Sequence, residues 1–161
     1  GERGELLVRG PQVFGAYYGK PEETDKVFVD GWFRTGDIVT IDEMGFVRIA
    51  DRIKELIITG GFNVAPTEVE GVLRQHPAVA DVAVVGLPSE HSGEEVVAAI
   101  VLDPSIEDID ETAIRDFARS ILTPYKVPRR IFVVDELPKS LIGKVLRRQV
   151  RTKLLELSGE E

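Results

Sequence analysis

The sequence predicts an α+β fold, and three observations predict it. A pair of glycines, Gly60-Gly61, divides two short apolar stretches; the apolar periodicity turns helical after Pro66; and a nearly continuous apolar run, Val96 to Leu102, has the length of a strand. With 161 residues, 43% of them hydrophobic and 30% charged, the chain has the material for one domain, or for one domain carrying a piece of another. Gly1 in place of Met suggests a fragment with more of its machine upstream.

In chain order, Glu5 to Gly10 reads as a strand and Phe14 to Tyr18 adds aromatics. Pro21-Glu22-Glu23-Thr24 opens a short helix, with Pro at an early position and acids near the positive end of its dipole. Asp30-Gly31 signals a turn before Trp32 to Asp37. Ile38 to Ile41 and Phe46 to Ile49 flank Asp42-Glu43-Met44-Gly45 as a hairpin. Residues 1–50 are therefore mostly β, too short and too poor in apolar residues for a core of their own, and are expected to be the tail of a preceding domain.

Residues 51–161 read as a second unit. Leu56-Ile57-Ile58 and Phe62-Asn63-Val64 form a hairpin whose glycines supply positive φ. Such a pair reads first as a turn; a tip without Cβ atoms would also let a ligand approach the backbone. Thr67 with Glu70 is expected to form a capping box for a helix carrying Val69, Val72 and Leu73. His76-Pro77 ends it. Val82 to Val85 and Val96 to Leu102 are strands separated by Gly86-Leu87-Pro88 and a polar loop. The second, apolar along almost its whole length, should be covered on both faces. Asp110 caps the next helix, with Ile109 and Ile114 as a staple and Ile114, Phe117, Ala118, Ile121 and Leu122 on its apolar face; Pro124 stops it. Arg130 to Val134 is a strand, Pro138 to Lys144 a loop, and Val145 to Leu157 a helix with Leu146, Val150, Leu154 and Leu157 on one side. Its Arg147, Arg148, Arg151 and Lys153 read most simply as a solvated face. The result is a compact domain with a glycine-tipped hairpin and a small central sheet flanked by helices.

Composition excludes several functions. A net charge of −8 opposes general nucleic-acid binding, which needs a positive field. Zero cysteines exclude disulfides and thiolate chemistry, and two histidines, His76 and His91, are too few for a histidine metal cluster. No apolar run reaches the roughly 18 residues of a membrane span. A cytoplasmic location is expected, with peripheral attachment to a membrane left open.

Six blocks then carry a resemblance: Gly4-Glu5-Leu6 through Pro21-Glu22-Glu23-Thr24; Trp32-Phe33-Arg34-Thr35-Gly36-Asp37; Asp51-Arg52-Ile53-Lys54-Glu55-Leu56-Ile57; Gly60-Gly61-Phe62-Asn63-Val64 with Pro66 and Glu68-Val69-Glu70; Pro124-Tyr125-Lys126-Val127-Pro128; and Pro138-Lys139-Ser140-Leu141-Ile142-Gly143-Lys144. In this order, over nearly the whole chain, they resemble the C-terminal part of an acyl-CoA synthetase of the adenylate-forming, AMP-binding superfamily. Fatty-acyl-CoA ligases, peptide-synthetase adenylation domains and firefly luciferase belong to that superfamily.

The resemblance implies a two-step reaction. A carboxylate attacks the α-phosphate of ATP to give an acyl-adenylate, and a thiol, usually that of CoA, displaces AMP. Residues 1–50 would be the β-rich end of a large N-terminal domain and 51–161 a mobile C-terminal domain. Asp37 matches the aspartate that binds the ribose hydroxyls, and Arg52 an arginine near the same nucleotide. Asp51, locally an exposed loop acid, matches the hinge about which the domain rotates. Gly60 and Gly61 match the loop that lines the thiol tunnel, and Lys144 the lysine that reaches the carboxylate and α-phosphate oxygens during adenylation.

Ala65 and Ser140 depart from the common pattern without removing a catalytic group. The phosphate loop, the acyl pocket and any Mg2+ site would lie outside the chain, so the isolated fragment is expected to be inactive. The Gly143-Lys144-Val145-Leu146-Arg147-Arg148 run leans toward ligases for medium- or long-chain fatty acids. Aryl-acid ligases, peptide-synthetase adenylation domains and a non-catalytic interaction module remain the alternatives. The implied partners are a carboxylate substrate, ATP, CoA and the upstream domain.

Overall fold

A computed structural model describes residues 2–106 and 110–159. The chain divides into two compact units, Gly1–Lys54 and Glu55–Glu161.

The first unit holds strand β1 (Arg3–Val8), helix α1 (Pro21–Val27) and strands β2 (Phe28–Val29), β3 (Trp32–Ile41) and β4 (Val47–Arg52) in one antiparallel sheet centred on β3. Asp30 and Gly31 both take positive φ and join β2 to β3 by a two-residue turn. The predicted loop at Asp42 to Gly45 is built by the Asp42 carboxylate, whose Oδ1 accepts from the amides of Met44 at 3.0 Å and Phe46 at 2.9 Å. Among the described residues of this unit, Val39 alone is a buried apolar residue. Phe14 instead gathers Tyr17, Phe28 and Phe33 into an aromatic cluster with centroids 4.9 to 5.8 Å apart.

The second unit has a five-stranded sheet made of β5 (Ile57–Thr59), β6 (Phe62–Val64), β7 (Val79–Ser89), β8 (Gly93–Leu102) and β9 (Arg130–Val133). It is antiparallel except for β9, which runs parallel to β8. Strand β8 is central. It pairs with β7 along one edge and with β5 and β9 along the other. Val96, Ala98 and Ile100 point into a core shared with helices α2 (Pro66–Leu73) and α3 (Glu111–Ile121). Val97 and Ala99 alternate into a second core with Val150 and Leu154 of helix α4 (Arg147–Ser158). The apolar run predicted to be covered on both faces is so covered.

Four local readings are corrected. The capping box at α2 does not form: the N-cap is Ala65, with no side-chain cap, and Glu70 turns inward. Its Oε1 accepts from the Val84 amide at 3.0 Å, and both its oxygens accept from the Arg147 guanidinium at 2.9 Å. Arg147 also reaches Glu55 at 2.6 Å, so it is a half-buried crosslink between α4, α2 and the start of the unit, not part of a solvated face. Strand β7 runs on through Gly86-Leu87-Pro88, where Pro88 pairs with Glu94. As β7 is an edge strand, the missing proline N–H breaks no ladder. Ile121 and Leu157, placed on apolar helix faces, are exposed.

The Asp110 cap stands, with Oδ1 accepting from the Thr112 amide at 2.8 Å; hydrogen bonding from the Thr112 side chain first, and from this amide second, holds its carboxyl below the usual carboxylate range. Its staple partner Ile109 lies outside the described residues.

Removing one member of a buried ion pair strands the other's charge. Arg147→Met is therefore expected to lower unfolding stability by about 3 kcal/mol, the low end of the usual cost, because Arg74 still approaches Glu70 at 3.5 Å. Adding Glu70→Leu should recover most of the loss. Denaturant unfolding followed by far-UV circular dichroism reads both, and an Arg147→Met chain within 1 kcal/mol of the parent would contradict the account.

Candidate functional site

In the first unit the residues Thr35-Gly36-Asp37 sit where the β1–β3 register shifts opposite Glu5 to Leu7. Gly36 takes a φ of 71°, which a residue with a Cβ adopts reluctantly. The Thr35 hydroxyl donates to the Leu6 carbonyl at 2.9 Å and accepts from the Asp37 amide at 3.0 Å. This bulge fixes Asp37 opposite Arg52, whose Nε donates to Asp37 Oδ1 at 2.8 Å. The structure thus brings these two predicted residues together in one ion pair. Among the described residues Oδ1 alone is used, so the carboxylate keeps acceptor capacity for a hydroxyl-bearing ligand. Asp51, beside them, is not the exposed loop acid its local sequence suggests. It is 4% exposed, lies in β4 opposite Ile38, and its Oδ1 accepts from the Arg52 amide at 2.9 Å.

In the second unit Gly60 and Gly61, with φ of 55° and 82°, form the two-residue tip between β5 and β6. The hairpin is as predicted, one residue later in its first strand. Positive φ at both positions is what a type I′ turn requires. A Cβ at either glycine would meet nothing within 4 Å, so the glycines answer to backbone conformation and leave the tip's surface bare. Beside the tip Phe62 stacks on Tyr125 with centroids 4.4 Å apart.

Lys144 lies on an exposed loop closed by an isolated bridge between Lys139 and Val145. The Ser140 amide donates to the Lys144 carbonyl at 2.8 Å, and Gly143 supplies a φ of 78°. Its two lysines differ. Lys139 Nζ is held by Asp81 at 2.6 Å, whereas Lys144 makes no ion pair among the described residues. Burial pushes the Asp81 carboxyl up, but the Lys139 hydrogen bond, the Val82 amide and the charges of Lys139 and Arg74 together hold it below the ordinary carboxylate range. Lys139 is thus committed to structure and Lys144 is left to solvent.

Residues 68–144 match the AMP-binding enzyme C-terminal domain. The chain is 51% identical over 152 residues to a long-chain-fatty-acid–CoA ligase of Escherichia coli O157:H7, and 48% identical over 149 residues to one of Bacillus subtilis. These matches take in 94% and 92% of the chain but 27% and 26% of the ligases. Among solved structures, ATP-bound MatB from Rhodopseudomonas palustris superposes with a TM-score of 0.90 at 39% identity, over 98% of this chain and 31% of that one.

Residues 68–144 are an AMP-binding enzyme C-terminal domain.

The predicted residues fall into three places, of which only the Lys144 loop lies within the matched residues 68–144: the Asp37–Arg52 pair with Asp51 in the first unit, and the glycine tip and the Lys144 loop in the second. Sequence reasoning missed the polar partners that fix these places. Glu70 was visible as an acid on the same helical face as Val69 and Leu73. Arg147 and Asp81 gave no local signal, because their partners lie 77 and 58 residues away. Among the described residues no group of His, Asp or Glu could hold a metal ion, and no helix is long and apolar enough to cross a membrane.

Because the space around the tip is open, substitution there tests backbone conformation alone. Gly61→Ala is expected to cost about 1–2 kcal/mol, the penalty of the left-handed region for an L-residue, and Gly61→Asn less. Denaturant midpoints decide it; equal stability of Gly61→Ala and the parent would contradict the turn assignment.

Proposed function

We propose that the chain is part of an ATP-dependent acyl-CoA ligase acting on medium- or long-chain fatty acids. The whole enzyme would activate the carboxylate as an acyl-adenylate with release of pyrophosphate, then pass the acyl group to the thiol of CoA with release of AMP. The observation that best supports this reading is the contrast between the two lysines of one loop: Lys139 is bound to Asp81, and Lys144 is exposed and free of carboxylate partners among the described residues. A cation that must bind reacting oxygens cannot be neutralised in advance by its own protein.

In this reading Lys144 meets the carboxylate and α-phosphate oxygens as negative charge develops on them. Asp37, steered by Arg52 and by the bulge at Gly36, accepts the ribose hydroxyls. Gly60 and Gly61 give the pantetheine thiol a path close to the backbone. Asp51 is the joint between the two half-reactions; the backbone from Asp51 to the 3-10 turn at Ile53–Glu55 absorbs the change. A required Mg2+ would be held by residues outside this chain. The enzyme would work in the cytoplasm.

The test compares two lysines in the intact enzyme. Lys144→Ala should slow adenylate formation by at least about 10² to 10³, the usual cost of removing one electrostatic donor, while thioester formation from supplied acyl-adenylate survives. Lys139→Ala should leave adenylation far less affected. A Lys144→Ala enzyme that forms adenylate at the parent rate would overturn the assignment.

A further inference from the structure

The glycine hairpin is held in place by something other than its own turn. In a hairpin with a two-residue tip, Thr59 pairs with Phe62, so the polar groups of Ile58 face away from β6. Strand β8 meets β5 only at Gly93, opposite Thr59. The Ile58 amide therefore lacks a ladder carbonyl, and a carboxylate takes its place: Glu94 Oε2 accepts from Ile58 N at 2.9 Å. The Gly60 amide donates to the Ser92 carbonyl at 2.9 Å, and the Ser92 hydroxyl donates to the Glu94 carbonyl at 2.7 Å. Three successive residues, Ser92, Gly93 and Glu94, thus strap the strand that leads to the tip.

A second observation concerns the space that Glu94 occupies. Its carboxylate lies over Gly86 of β7, where a Cβ would stand 2.9 Å from Glu94 Cδ and 2.9 Å from Oε1. The φ of Gly86 is not in the positive range, so its lack of a side chain answers to this close approach and not to backbone strain. The carbonyl of the same residue accepts from Arg151 Nε of α4 at 2.9 Å. Glycine at 86 and glutamate at 94 therefore form one device that sets the position of β5.

We propose that Glu94 is a positioning residue for thioester formation, acting through the Ile58 amide to hold the Gly60-Gly61 tip where the thiol must pass, and that Gly86 exists to admit its carboxylate. This rests on the reading of the tip as part of the thiol path. Adenylation, which that reading assigns to Lys144, should be indifferent to Glu94.

Glu94→Ala, Glu94→Gln, Gly86→Ala and the double variant Gly86→Ala/Glu94→Ala are to be compared in the intact enzyme for both half-reactions. They are also to be compared, as the 161-residue chain, for amide hydrogen exchange at the hairpin. Glu94→Ala should raise the KM for CoA or slow acyl transfer from supplied acyl-adenylate by about tenfold, the effect of one hydrogen bond to a charged group, with adenylation within about twofold of the parent. Glu94→Gln keeps an acceptor for Ile58 and should lose about threefold or less. Gly86→Ala should reproduce Glu94→Ala, because the new methyl displaces the flexible carboxylate, and the double variant should be no worse than either single one.

The proposal fails if Glu94→Ala leaves hairpin exchange and acyl transfer unchanged, if it slows both half-reactions equally, or if the two single effects add. If hairpin exchange rises as expected and acyl transfer does not change, the strap is real but the tip is not on the thiol path, and the reading it rests on is what falls.

Discussion

The second unit depends on one constraint, the burial of β8 on both faces. Val96 to Ile100 are all within 1% of complete burial, so side chains pointing in either direction need an apolar partner. One face is met by α2 and α3 and the other by α4. A helix must then follow β9, and the segment between them, which includes the Lys144 loop, is committed to the rim of the sheet. The position of the candidate catalytic lysine is thus a consequence of how a strand is covered.

That arrangement leaves charges to be settled at the seams, and the polar network does so. Glu70 is buried because α2 presents the same face to the sheet that holds Val69 and Leu73. A lone carboxylate there would be costly, and Arg147 at the start of α4 satisfies it while reaching Glu55. Asp81 does the same for Lys139 at the base of the Pro138 to Lys144 loop. Within that loop the two lysines differ: Lys139 is held by Asp81, and Lys144 is exposed with no carboxylate partner among the described residues.

Much of this could be read in the residues. The glycine hairpin declared itself because two adjacent glycines between β-formers have few other uses, and the Asp110 cap because its acceptor lies two residues from its donor. The run from Val96 to Leu102 announced a strand buried on both faces. What stayed hidden was set by partners distant in sequence. Thr67 and Glu70 have the spacing of a capping box, but a guanidinium 77 residues on competes for Glu70 and wins, since a buried pair outweighs a surface cap. Arg147 reads like Arg148 until its neighbours are known. Asp51 looks exposed because its block is charged, and the β3–β4 pairing that buries it depends on a strand more than ten residues earlier. Of the candidate site, the residue types and the turn were legible, whereas the strap at Glu94 required the β7–β8 register.

In the proposed function this chain would supply essential parts of an adenylate-forming ligase and not its whole active site. Fatty-acid-dependent exchange of labelled pyrophosphate into ATP tests it most directly, measured for the whole protein that carries this chain and for the 161-residue chain alone. The account predicts exchange by the whole protein and none by the chain. Exchange by the chain alone, or a whole protein that exchanges pyrophosphate with no carboxylic acid offered, would contradict it.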